Sequence, residues 1–370
     1  MTEEMPAGAS GATESPTVAD PGHRALRSVE RLLMVAGLGI LAYLLHDLGL
    51  GVVLTHLHMV GWGIVLIVVQ EIFAFVANTT GWRLALPDPS AVRFRTLLAA
   101  RIAGDAVNYL TPTATLGGEF ARSRLLRHHA PTTSIVASLA VAKVTQAVGL
   151  WAFVAVGLIA FVDEALLPTR VRWGLLVGLG GFAVALVILI VAQRRGMFAP
   201  IARLLEGRAR RHGPAQLGHA LRRVDQEIAR LHTANPRRLV LSSASFCLGF
   251  ALGSIESYLV LWFLGLPATV DRALSIEILS VAFNNLLFFV PLRAGTQEAG
   301  KVLIFTALGL DPAKGLAAGI LYRVRELAWA LIGLAILYRQ QRVCSAPMAR
   351  SAAVAGGERV PATPRHRSVP

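Results

Sequence analysis

The chain has 370 residues, 54% of them hydrophobic and only 16% charged, with a mean hydropathy of +0.57, a balance that excludes an ordinary soluble domain, whose surface must be covered with polar groups. The net charge of +14 raises nucleic acid as a partner. The arginines lie in loops between apolar blocks without interleaved aromatics, however, so the charge reads as membrane orientation and no nucleic-acid partner is expected.

Residues 1–23 are rich in Ala, Gly, Ser, Thr and Pro and read as a disordered tail. One transmembrane domain is expected over 24–338. Its first apolar block, 28–48, follows Arg24, Arg27 and Arg31 and is followed by no small-residue cleavage site, so it reads as an anchor rather than a signal peptide. Segment 60–80 is the next span. Segment 96–127 is broken by Pro112 and Gly117-Gly118, with Arg93 and Arg95 before it and Arg122 to Arg127 at its end. Basic residues at both ends place both on one side of the membrane, which predicts a re-entrant hairpin covered by protein or water.

Spans are expected at 132–162 and 171–193. The loop 194–237 then carries many arginines against Glu206, Asp225 and Glu227, which puts it in the cytoplasm. Within it Leu217, Leu221, Val224, Ile228 and Leu231 have helical spacing. They predict an amphipathic helix, either on the membrane surface or solvated in the cytosol. Spans at 238–264 and 314–338 flank a second broken segment, 272–308, and 339–370 reads as a disordered basic tail. Cys247 lies in an apolar block and Cys344 in that tail; they form neither a disulfide framework nor a zinc site.

The two halves resemble each other. The first, about 28–162, carries Asn108 and Pro112, then Gly117-Gly118-Glu119, Pro131, Lys143-Val-Thr-Gln146 and Trp151. The second, about 171–338, carries Asn285 and Pro291, then Gly295 and Glu298, Pro312, Arg323-Val-Arg-Glu326 and Trp329. Glu71 and Glu256 precede the two sets. Counting crossings inverts one half relative to the other. The fold class is therefore an all-α, polytopic integral membrane helical bundle with two inverted repeats and two re-entrant hairpins, an arrangement suited to alternating access. The crossings place the protein in a cell inner membrane with both termini in the cytoplasm.

Charge within a bilayer costs about 2.5–3.5 kcal/mol per residue on insertion scales, so each such residue needs a partner or a role. Arg101, Asp105, Asn108 and Pro112 fall on one helical stripe, where Arg101 and Asp105 can pair. That stripe is either a self-neutralised packing face or the wall of a hydrophilic groove. Glu119 sits at a helix start, where it either caps the helix or shares an anion-favouring end. Arg122 and Arg124 either bind phosphate or anchor at the headgroups. Arg323, Arg325 and Glu326 lie deep in the last span, with Arg323 and Glu326 on one face and Lys143 expected opposite. An intramembrane arginine fork suits a lipid phosphate; the alternative is a buried Arg–Glu pair that joins two helices. The candidate substrate-binding set is Asn108, Glu119, Arg122, Lys143, Asn285, Glu298, Arg323, Arg325 and Glu326. No catalytic residue, metal ligand or cofactor site is expected.

Pro112 with Gly117-Gly118-Glu119 and Arg122, Val290-Pro291, Gly295, Glu298-Ala299, Leu308-Gly309-Leu310, Tyr322-Arg323 and Arg325-Glu326 give the chain a resemblance over about 28–340. It resembles the lysylphosphatidylglycerol-synthase transmembrane-domain, or flippase-like, family. The Gly295-Thr-Gln-Glu298 and Arg323-Val-Arg-Glu-Leu327 forms look closest to the branch associated with hopanoid biosynthesis. The resemblance implies a lipid translocator for an anionic or polyprenoid lipid. Synthase members add a soluble aminoacyl-transfer domain; none follows Tyr338 here, so synthase activity is not implied. A lipid-modifying enzyme and a non-catalytic partner of a lipid-biosynthesis enzyme are the other classes. No Walker A loop, Asp-rich metal motif or His/Cys cluster supports the enzyme.

Overall fold

In hydrocarbon every backbone N–H and C=O must be bonded within the protein, so apolar runs of spanning length become helices. The computed structural model describes residues 50–110, 116–160, 169–200, 215–286 and 295–355, with Tyr43, His46 and Arg203 besides. Its helices are α1 (Leu50–Val60), α2 (Gly63–Leu84), α3 (Phe94–Leu110), α4 (Leu116–Leu126), α5 (Thr132–Ala160), α6 (Thr169–Arg195), α7 (Ala215–Ala234), α8 (Pro236–Phe263), α9 (Val270–Leu286), α10 (Thr296–Ala307) and α11 (Pro312–Ala355). No strand occurs among the described residues. The protein is an all-helical membrane bundle.

Four helical stretches are long and apolar enough to cross a membrane: Gly63–Leu84, Thr132–Ile159, Leu176–Arg195 and Pro236–Phe263. They fall on four of the expected spans. α11 covers the expected span 314–338 but carries Arg323, Arg325 and Glu326, and it continues to Ala355, past the boundary read at 338. The expected anchor 28–48 lies almost wholly outside the described residues. So do the turns of the two broken segments, which hold Pro112 and Pro291; around them stand the pairs α3/α4 and α9/α10.

Helix ends show how the sequence stops each rod. α8 opens with Asn235 and Pro236, the proline at a position where its missing N–H costs nothing. It closes through Gly265 at φ 62, with the Leu266 N–H on the Leu261 carbonyl at 2.9 Å. α2 ends differently. The Arg238 guanidinium of α8 donates to the carbonyls of Leu84 (2.9 Å), Pro87 (3.4 Å) and Leu86, filling acceptors that a helix end leaves open.

The halves pack crosswise, α2 along α8, α3 along α11 and α9 along α5. Glycines set the closest approaches, as small residues do in membrane interfaces. A Cβ at Gly333 would lie 2.4 Å from Ala106 Cβ, and one at Gly157 2.1 Å from Ile278 Cδ1. α6 is peripheral, its Val177, Val184, Val187 and Ile188 exposed to face lipid. α7 corrects an expectation. Its apolar residues Val224, Ile228 and Leu231 neither lie on the membrane nor face solvent; they join Trp82, Leu86, Leu126 and Ile135 in one core. Arg223 and Arg230 are left pointing outward.

Candidate functional site

Two charged networks stand inside the bundle, and each uses a broken-helix pair. In the first, Gly118 of α4 meets Gly104 of α3 so closely that a Cβ on Gly118 would lie 2.3 Å from the Gly104 carbonyl oxygen. That contact seats the Gly118 N–H on Asn108 Oδ1 at 2.7 Å and brings the charges of both helices together. Arg122 donates to Asp105 at 2.5 Å and to Glu119 at 2.9 Å. Lys143 of α5 reaches the same Glu119 oxygen at 3.0 Å. Arg101 pairs with Asp105 at 3.5 Å, and the guanidinium carbons of Arg101 and Arg122 each stand 5.6 Å from the ring centre of Phe246 and Trp82 respectively.

In the second network the start of α10 brings Glu298 to α11. Arg323 grips it with two nitrogens, Nε to Oε1 at 2.9 Å and a terminal nitrogen to Oε2 at 3.0 Å, and donates to the Tyr109 hydroxyl of α3 at 3.1 Å. Arg325 faces the other way. One of its nitrogens lies 2.6 Å from Glu71 of α2 and 2.8 Å from Glu256 of α8, and its other terminal nitrogen 3.8 Å from Glu326. Beside this group Lys301 is only 2% exposed. It donates to Ser280 at 2.7 Å and stands 3.5 Å from the ring centre of Tyr322. The Tyr322 hydroxyl is 2.6 Å from Ser257, which donates to Glu277 at 3.2 Å.

The networks meet at a cavity of about 200 Å³ between α2, α3 and α11. Its polar lining is Glu71, Asn78, Asp105, Tyr109, Arg325 and Glu326, with Phe75 and Trp329 as aromatic walls. The two rings are 4.7 Å apart, and the Trp329 N–H is bonded to the Val68 carbonyl at 2.9 Å. Such a pocket, apolar with a few convergent polar groups, is the form a ligand site takes.

Several expected pairings are corrected. Arg323 does not pair with Glu326, because its fork is held by Glu298 across a helix interface; Glu326 lies beside Arg325 instead. Lys143 does not face Arg323 but belongs to the first network through Glu119. Arg122 does not snorkel: it is buried between two carboxylates, whereas Arg124 is exposed. Asn108 holds the α3–α4 contact. The side chain of Asn285 lies outside the described residues. Sequence reasoning passed over Lys301, Glu277 and Tyr109. The signal was there for Lys301, a lone lysine beside an apolar run, Val302 to Phe305.

The matches between the two halves of the sequence have a spatial counterpart. Glu119 and Glu298 hold matching places in the two halves, as do Lys143 and Arg323, and both carboxylate–cation pairs form. Glu71 and Glu256 also match, and both converge on Arg325.

Compared with known proteins, residues 31–334 match the family model described as the lysylphosphatidylglycerol synthase TM region. No curated protein and no solved structure matches the chain.

Proposed function

The chain belongs to the lysylphosphatidylglycerol synthase transmembrane-region family, and from that premise we propose that it is a carrier which moves a membrane lipid between leaflets. In this reading the chain is not an enzyme, and it sits in an inner membrane with its termini and α7 on the cytoplasmic side. The observation that carries the proposal is the cavity where both networks meet. It opens on groups from both halves, Glu71 and Asp105 from the first, Arg325 and Glu326 from the second, which is where a rocking movement of two repeats acts.

The lining also indicates the headgroup. Glu71, Asp105 and Glu326 outnumber Arg325 there, and the rings of Phe75, Tyr109 and Trp329 suit a cation. A head bearing an amine, like the lysyl group in the family's name, fits better than an anionic one. The phosphate expected on Arg323 has less support, because it would have to displace Glu298 from a two-point grip.

The test is lipid movement in vesicles containing only the pure protein. Lipids with lysyl, ethanolamine and glycerol heads are compared, and the amine-headed lipids are expected to move at least tenfold faster. Glu326→Gln should slow them severalfold. Equal rates for all heads would sink the headgroup assignment. No movement at all would sink the carrier, and covalent change in the lipid would point to an enzyme instead.

A further inference from the structure

Arg325 stands between carboxylates that hold matching places in the two halves. Oxygens of Glu71 and Glu256 both lie within 2.8 Å of one of its nitrogens, so the two acids are close neighbours in a water-poor interior. Glu326 is the third member of the shell. We propose that this shell is a proton-binding site that holds one exchangeable proton at neutral pH and is reached from the adjoining cavity.

Charge balance supplies the first argument. Arg323 and Glu298 neutralise each other in a two-point pair and can be set aside. What remains is Glu71 on α2, Glu256 on α8, Glu277 on α9 and Glu326 on α11, against Lys301 on α10 and Arg325 on α11; Glu277 and Lys301 are close enough to Glu256 to act on it electrostatically. From α3, the cavity adds Asp105, which already has Arg122 and Arg101, and the neutral Tyr109. Tyr322 on α11 is neutral too. Among the described residues, four carboxylates thus face two cations inside the bundle. An uncompensated buried charge is neutralised rather than tolerated, and carboxylates that share a site do not all ionise.

Unpartnered atoms supply the second. Glu256 is 1% exposed, and while one of its oxygens is on Arg325 the other, Oε1, has no hydrogen-bond partner among the described residues; nor has Glu326 Oε2. A buried carboxylate oxygen left in that state is unfavourable, and a proton on one of the acids removes the charge that would otherwise stand unsolvated there. Access supplies the third, since Glu71, Arg325 and Glu326 themselves line the cavity. Among the described residues no three acidic, His or Cys side chains are placed to hold a metal ion, which favours the proton. As a coupling device, the site rests on the carrier reading: a cationic head entering the cavity would displace the proton.

Infrared difference spectra of the pure protein in detergent test the site without any transported lipid, so the result stands apart from the carrier question. A step from neutral to alkaline pH should remove one deuterium-sensitive protonated-carboxyl band in the wild type. The band should be lost or shifted in Glu256→Gln and Glu71→Gln and unchanged in Asp271→Asn, a change on the exposed start of α9. Glu326→Gln, whose contact to Arg325 is the longest, shifts the band with least risk to folding. Absence of the band in the wild type, or its persistence unshifted in all three Gln variants, overturns the proposal. Its disappearance when sodium replaces choline at constant pH also overturns it and assigns the site to a metal cation.

Discussion

The two networks share a pair and differ in everything around it. On the α4 side, Glu119 meets Lys143, whose side chain is 42% exposed, and the cations Arg101, Arg122 and Lys143 outnumber Asp105 and Glu119. On the α10 side, Glu298 is buried and gripped at two points by Arg323, and among the described residues carboxylates outnumber cations. The same two places in a half can therefore hold either a wet single contact or a dry fork. The third residue of the motif differs as well, Thr145 in one half and Arg325 in the other. Thr145 only bonds backbone and Ser242, whereas Arg325 draws in Glu71, Glu256 and Glu326.

The largest effect should separate the two pairs. Arg323→Gln leaves Glu298 buried without its cation, a loss of about 3–5 kcal/mol. Lys143→Gln removes an exposed partner while Arg122 still holds Glu119, a loss of about 1 kcal/mol or less. Thermal unfolding in detergent checks both; equal losses would mean the pairs are not different in kind. The next effect concerns the glycine contacts. Gly118→Ala drives a methyl into the Gly104 carbonyl at 2.3 Å, while Gly300→Ala meets the Phe283 ring at 2.6 Å. Backbone cannot turn aside as a ring does, so the first should cost about 1–3 kcal/mol and the second the low end of that range.

The smallest effect sets the end of α2 against the end of α8. Ser90 donates its hydroxyl and its N–H to Asp88 at 2.6 and 2.8 Å, which holds that carboxyl below its usual range. The folded value is depressed, so the stability this gives is fully present above the unfolded value of 3.8 and is lost as pH falls below it. The α8 end, closed by Gly265 and a backbone bond, has no such dependence. Asp88→Asn should flatten the acid side of the melting profile slightly; an unchanged slope would show that the contact carries no stability.

Much of this was legible in one sequence. Spanning lengths located α2, α5, α6 and α8, and the order of Pro, Gly, Glu and Lys/Arg located both broken pairs and the matched residues Glu119, Lys143, Glu298 and Arg323. What pattern could not give was partners across helices. Arg323 and Glu326 lie three residues apart, so helical spacing suggested a pair. A side chain on a packed helix bonds to whatever the neighbouring helix presents, however, and that was Glu298. The same limit hid Arg325: Glu71 and Glu256 were visible as solitary membrane carboxylates, but nothing local shows that both converge on one cation, which lies 254 positions beyond Glu71. α7 was legible as amphipathic, yet periodicity says only that one face wants cover, not that the protein supplies it.

The Arg238 guanidinium closes the end of α2 from more than 150 positions further along the chain. Synthesis runs from the N-terminus, so α2 emerges with its last carbonyls open to water and stays that way until the start of α8 has been made. The first half thus enters the membrane with one frayed edge. Its final seal is fitted only when the second half arrives, which makes the junction between the halves a late step of assembly and a place where a truncated chain fails.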